Sequence, residues 1–250
     1  MGRKDINYTG EKRFNNQGCE MEIIEYFGVR NITVKFIKPK EVIVRNITYQ
    51  NFCNGQVNNP YFPSVYGVGY YGECKKMGKK TKEYKKMYKV WQSMLCRAYD
   101  EKFYSKEVTY TDVEVCEKWH NFQNFKKWYV ENYYELESEK VELDKDFKKK
   151  GNKIYSPDTC LFLPKKINRF LVKPSKDKEL PTGVYRKNGK FYTRLFKENK
   201  TKGFDTIDEA INVYKTQKKE YLLDVITSYK GKIPDNIYKE IIEAYYRYEI

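Results

Sequence analysis

Leu143-Asp144-Lys145-Asp146 is the stretch of this chain whose side chains are best placed to do chemistry. A short apolar strand ends there in carboxylates, and a lysine sits between them. Carboxylates and amines are the groups that move protons, so acid–base chemistry is the first expectation. The lysine limits it. Neighbouring negative charge favours the ammonium, and a lysine that stays protonated is a poor general base. A basic loop follows, Phe147-Lys148-Lys149-Lys150-Gly151-Asn152, and then a proline-marked turn, Tyr155-Ser156-Pro157-Asp158. A second apolar run, Thr159-Cys160-Leu161-Phe162-Leu163, leads through Pro164 into Lys165-Lys166-Ile167-Asn168-Arg169. Proline suits the first position of a helix, where its missing N–H would have had no partner. The elements that must position these residues are therefore a strand, a long loop, a second strand and a helix.

In this order and with these residues, Val141–Asn168 resembles the ββα-metal core of HNH-type endonucleases, in the divergent form found in phage proteins. The resemblance implies that Asp144 is the first metal ligand, that Asn168 is the second, and that Asn152 fixes the loop. It implies Mg²⁺ as cofactor, with Mn²⁺ as the alternative; oxygen ligands of this kind suit a hard cation that also binds phosphate. The implied catalytic set is Asp144, Lys145, Asp146 and Asn152. There is one departure. Where the family places a water-activating histidine after the first ligand, this chain has Lys145, and its single histidine, His120, lies outside the motif. Two readings follow. One is a nicking or homing endonuclease with a single divalent metal. The other is an inactive HNH-fold scaffold that binds DNA without cutting it, as a regulator or a phage anti-defence protein.

Flanking segments extend the resemblance. Trp91–Tyr99 is similar to the W-x-x-M-x-x-R-x-Y helix of phage HNH relatives, and Cys116–Phe125 to their C-x-x-W-x-x-F-x-x-F helix. Trp119, Phe122, Phe125 and Tyr129 recur every three or four residues, so they form a core stripe. His120 falls beside that stripe and reads as a surface or capping residue.

The formal net charge is +15, from 49 Lys+Arg against 34 Asp+Glu. Such an excess points to an anionic partner, and double-stranded DNA is the natural candidate. The 25 tyrosines add faces that can stack on bases, although most are expected to serve as core or rim residues. Hydrophobic residues make up 40%, enough for packed cores, and no apolar run approaches a membrane span. The first residues, MGRKDINYTGEKRF, lack the apolar core of a signal peptide, and the six cysteines form no C-x-x-C pair. A cytoplasmic setting is expected, the host's if the protein is phage-encoded. A monomer or a dimer is expected, and a phage or host defence protein is a further candidate partner.

The predicted class is α+β, in three modules. Residues 1–66 read as a small, barrel-like β-rich module, with strands over Met21–Tyr26, Asn31–Ile37 and Glu41–Tyr49. Gly10-Glu11, Asn15-Asn16-Gln17-Gly18 and Tyr49-Gln50-Asn51-Phe52 are similar to segments of phage-encoded relatives of HNH proteins, which implies an accessory module. Residues 67–172 hold the HNH-like core and the helices before it. Gly67–Gly72 lacks the lysine and spacing of a phosphate loop and reads as a connector. Glu73–Lys82 is a basic linker. Beyond it Tyr84, Met87, Tyr88, Trp91, Leu95 and Ala98 form one helical stripe, with Lys85, Lys86, Lys89 and Arg97 mostly on other faces.

Residues 173–250 form the third module, after a charged, proline-marked linker at Val172–Thr182. Gly183–Arg186, Gly189–Leu195 and Gly203-Phe204 read as three short strands, with Asn188-Gly189 as a hairpin turn. Thr206–Glu209 is a capping box opening a helix. The final helix carries Ile237, Ile241, Tyr245 and Tyr248, and is expected to pack on this module or in a dimer contact. Gly183–Tyr185, Gly189–Phe191, Gly203–Thr206 and Glu209–Tyr214 resemble the ethylene-response-factor, or integrase-type, DNA-binding domain. That resemblance implies a sheet lying in the major groove. Arg186, Lys190, Tyr192, Arg194 and Lys202 are the implied DNA contacts.

Overall fold

The computed structural model describes residues 6–74, 81–104, 112–149, 151–171, 180, 183–195 and 202–247. The chain is α+β and divides into two compact units, Met1–Val130 and Glu131–Ile250. Most of the basic linker at 73–82, the linker at 172–182 apart from Leu180, and Tyr248 lie outside the described residues. Among the described residues no helix is long and apolar enough to cross a membrane.

The first unit opens with four antiparallel strands, β1 (Lys12–Phe14), β2 (Glu20–Tyr26), β3 (Ile32–Phe36) and β4 (Val42–Ile47), in the order β1-β2-β3-β4. Side chains alternate across a strand, so Met21 and Ile23 of β2 turn inward to meet Ile32, Val34 and Phe36. A short helix, α1 (Tyr49–Cys53), starts where the Thr48 hydroxyl accepts the Asn51 N–H, and it lays Phe52 into the same core. The sheet is open, with β1 and β4 as its edges, where a barrel was expected. Burying only one face is enough here, because α1 and the chain at Val57 cover it. The Asn15-Asn16-Gln17-Gly18 segment is a structural turn. Asn15 accepts the N–H groups of Gln17 and Cys19 and donates to the Val57 carbonyl at 2.8 Å.

The same unit continues through α2 (Lys82–Tyr99), α3 (Glu101–Tyr104), β5 (Glu114–Val115), α4 (Glu117–His120) and α5 (Phe122–Asn132). Thr81 caps α2. Its buried face is Met87, Trp91, Met94, Leu95 and Ala98. Trp91 donates its indole N–H to the Trp119 carbonyl at 2.7 Å and packs on Phe122. His120 Nε2 lies 2.9 Å from the Val115 carbonyl and 3.3 Å from the Tyr99 hydroxyl, a structural position.

The second unit contains the strand, loop, strand and helix in that order: β6 (Val141–Asp144), β7 (Ile154–Tyr155), β8 (Leu161–Pro164) and α6 (Lys165–Leu171). β6 and β8 pair antiparallel, Asp144 opposite Leu161 and Val141 opposite Pro164. Next come β9 (Val184–Lys187), β10 (Lys190–Thr193), α7 (Ile207–Thr227) and α8 (Asp235–Arg247). The expected third strand is reduced to one bridge, Phe191 with Phe204, closed by hydrogen bonds in both directions. The capping box at Thr206 and Glu209 opens α7.

An apolar core of this unit gathers segments from both of its halves. Phe147, Leu161, Leu163 and Ile167 pack with Leu222, Val225, Ile226 and Tyr229 of the α7 end and with Ile237, Ile241, Ala244 and Tyr245 of α8. The last helix therefore shares one core with β8, α6 and α7. Its stripe at three- and four-residue spacing supplies the apolar side that this layer lacks. Ile241 is fully buried in this core. Ile241→Ala is expected to cost about 2–5 kcal/mol, read as a lower urea midpoint with an unchanged slope. A wild-type midpoint would mean that α8 does not pack as described.

Candidate functional site

β6 ends at Asp144 because its carboxylate turns back on the chain. Asp144 Oδ1 accepts the backbone N–H of Asp146 at 2.9 Å and of Phe147 at 2.7 Å, which starts the loop. Burial pushes the Asp144 carboxyl above its ordinary range, and the two N–H groups pull it partly back.

Lys145 is buried, only 5% exposed. Its ammonium donates to Asp146 Oδ2 at 2.7 Å and to the Asn152 carbonyl at 2.9 Å, and lies 5.8 Å from the centre of the Tyr155 ring. Asn152 answers across the loop, with Nδ2 donating to the Lys145 carbonyl at 2.8 Å and to the Ile154 carbonyl at 2.7 Å. Each side chain thus bonds the other residue's backbone. This is the loop-fixing role expected of Asn152, and Lys145 shares it. Asp146 contributes one carboxylate oxygen to the same clamp from a half-exposed position.

Asn168, on α6, donates Nδ2 to Glu142 Oε2 at 3.0 Å. Glu142 also faces Lys165, whose ammonium is 3.9 Å from Oε1. Glu142 and Asp144 are two residues apart on β6, so they share a face of the strand. Sequence reasoning passed over Glu142, although its i, i+2 spacing from Asp144 was the available signal. The start of α6 is held by Glu139, which accepts the Lys166 N–H at 3.0 Å and the Tyr229 hydroxyl.

The donor types fit a hard cation. Asp144 Oδ1 is tied to two backbone N–H groups and Asn168 Nδ2 to Glu142, and the other polar atom of each side chain, Asp144 Oδ2 and Asn168 Oδ1, is an oxygen of the kind Mg²⁺ takes. Glu142 would add a carboxylate beside them. Among the described residues no group of three or more His, Cys, Asp or Glu is placed to hold a metal, so any such site would depend on the Asn168 carboxamide.

The β9–β10 hairpin supplies a second candidate. Asn188 and Gly189 both take positive φ, 51° and 78°, as a two-residue turn requires. The register pairs Lys187 with Lys190, Arg186 with Phe191, Tyr185 with Tyr192 and Val184 with Thr193. One face therefore carries Tyr185, Lys187, Lys190 and Tyr192, and strand alternation adds Arg194. The Tyr185 and Tyr192 rings stack at 5.5 Å, and the Arg194 guanidinium lies 5.1 Å from the Tyr185 ring. Gly203 lets the third segment approach this face, because a Cβ there would meet Lys190 Cδ and the Tyr192 hydroxyl at 2.9 Å. Lys190 pairs with Asp205 at 3.1 Å in an exposed contact of small energetic weight.

The other face is the packing face. Val184 and Thr193 are buried against α7, and the Thr193 hydroxyl donates to Gln217 at 3.2 Å. Arg186 belongs to that face, at its exposed end, with its guanidinium 5.7 Å from the Phe191 ring. Of the expected contacts, Lys190, Tyr192 and Arg194 share one face and Arg186 does not. Lys187 joins them and was missed, although period-two counting from the Asn-Gly turn identifies it. Lys202 is exposed before the Phe204 bridge.

No family model, curated protein or solved structure matches this chain.

The clamp makes a direct prediction. Lys145→Met leaves the Asn152 carbonyl without its charged donor, and Asn152→Ala removes the return bonds. Each is expected to cost about 1–3 kcal/mol. Because both break one unit, the double variant is expected to lose less than the sum, with a coupling of about 0.5–3 kcal/mol. A double-mutant cycle by urea unfolding checks this, and strictly additive losses would exclude a shared clamp.

Proposed function

We propose that this protein binds double-stranded DNA through the β9–β10 face, and that its HNH-like strand–loop–strand–helix segment is a scaffold that does not cut. The observation that carries the binding reading is the collection of Lys187, Lys190 and Arg194 with the Tyr185–Tyr192 stack on one side of a hairpin whose other side is packed. Cations there meet phosphates, while stacked phenols and a planar guanidinium suit base edges and sugars. The net charge of +15 supplies the long-range attraction.

The non-cutting reading is supported by Lys145. It stands where a water-activating group would be expected, and its ammonium is engaged in structural bonds with Asp146 and the Asn152 carbonyl. A second reading, a metal-dependent endonuclease, is favoured by the oxygen donors of Glu142, Asp144 and Asn168. In that case Asp144 and Asn168 would hold Mg²⁺ or Mn²⁺, which supplies Lewis-acid stabilisation at a phosphate. The proposed setting is a reducing host cytoplasm, with a regulatory or anti-defence role in a phage or mobile element.

Two measurements test this. Fluorescence anisotropy with a duplex should show that Lys187→Ala, Lys190→Ala and Arg194→Ala together reduce the log–log salt slope by up to about 3, at roughly 0.9 per lost phosphate contact. Arg186→Ala alone should change affinity far less. Equal losses from Arg186→Ala would overturn the assignment of the face. In parallel, supercoiled plasmid with Mg²⁺ or Mn²⁺ should stay closed. Nicking by the wild type that disappears in Asp144→Ala would replace the scaffold reading with the enzyme.

A further inference from the structure

α2 carries a feature that the hairpin does not explain. Lys82, Lys85, Lys86 and Lys89 are all exposed. At 3.6 residues per turn they fall within an arc of about 100°. The buried residues Met87, Trp91, Met94, Leu95 and Ala98 occupy the opposite side. Glu83 is the one acid in the helix before its cap, against these four lysines and Arg97. The two long helices of the second unit are not basic. α7 has Asp208, Glu209, Glu220 and Asp224 against Lys215, Lys218 and Lys219, and α8 has Asp235, Glu240 and Glu243 against Lys239 and Arg247.

We infer that this lysine stripe is a second nucleic-acid surface, in the first unit, which contacts the phosphodiester backbone of duplex DNA without reading sequence. The inference rests on the DNA-binding reading above and adds a site to it. From Lys82 to Lys89 the helix rises about 10 Å, a length of duplex axis over which each strand presents about three phosphates, at about 3.4 Å of axial rise each. Lysine is a point charge with rotatable donors, suited to phosphates, whereas bidentate base recognition is the work of arginine and of amides. A membrane surface is the weaker partner. A helix that binds lipid needs an apolar face to insert, and the apolar face of α2 is used up in the core.

The test uses the full-length chain with Lys82, Lys85, Lys86 and Lys89 all changed to Gln. These side chains are at the surface, so circular dichroism and the unfolding midpoint should match the wild type. With duplexes of two unrelated sequences, the log–log salt slope should fall by about 2–4, at roughly 0.9 per phosphate, and equally for both sequences. A hairpin variant, Lys187→Ala with Lys190→Ala and Arg194→Ala, should keep residual duplex binding that disappears when the four Gln changes are added. An unchanged slope in the four-Gln variant, with the hairpin variant still weakened, would overturn the stripe and leave the hairpin reading standing. Loss of binding to phosphatidylserine vesicles with unchanged duplex binding would overturn it in favour of a lipid surface. A wild type that does not bind duplex DNA at all would instead remove the function on which the inference depends.

Discussion

A lysine ammonium taken out of water must be paired, and in this protein that requirement holds together the loop between β6 and β7 of the second unit. Lys145 sits between the Asp146 carboxylate and the Asn152 carbonyl, and Asn152 returns two bonds to backbone carbonyls on either side. Breaking one partner would strand a buried charge, which costs far more than a surface pair contributes. The loop is thereby closed between β6 and β7, and Phe147 is directed into the core with Leu161, Leu163 and Ile167. Asp144, which begins the loop by capping two N–H groups, belongs to the same construction.

That construction is continuous with the rest of the unit through α7. The first half of this helix backs the β9–β10 hairpin: Tyr214 lies where a side chain on Gly183 would stand, and Gln217 bonds Thr193. Its second half contributes Leu222, Val225 and Ile226 to the core shared with β8, α6 and α8. A single helix of 21 residues thus supports both the loop clamp and the cationic hairpin. The aromatic and cationic side chains of the hairpin project from a face that packing leaves open, because its opposite face is spent on α7.

Charge follows the same division between packed and open faces. The apolar sides of α2 and of the hairpin are consumed internally, and what remains outward is rich in lysine, arginine and tyrosine. At α2 the separation is nearly complete, with buried residues and lysines on opposite sides of one helix. Exposed ion pairs such as Lys190 with Asp205 are too weak to neutralise such surfaces.

Much of this was legible in the residues themselves. Alternation gave the strands of the first unit, the three- and four-residue stripes gave α2, α5 and α8, Asn188-Gly189 gave the hairpin and Thr206 with Glu209 gave the start of α7. These are local signals, set by backbone geometry within a few residues, so a linear reading captures them. The order strand, loop, strand, helix at Val141–Asn168 was legible for the same reason. What tertiary structure alone decided is where side chains end up once segments meet. Sequence placed Lys145 between two carboxylates, but only folding buried it and aimed it at Asn152, seven residues away. Sequence offered Asp144 with Asn168, and only folding brought in Glu142, which accepts the Asn168 Nδ2 hydrogen bond. Arg186 and Arg194 look equivalent in the linear chain, yet the pleat sends them to opposite faces. The first sheet stays open rather than closing into a barrel because closure depends on how far edge strands curl and on what covers them. Those are properties of packed surfaces, and no window of neighbouring residues contains them.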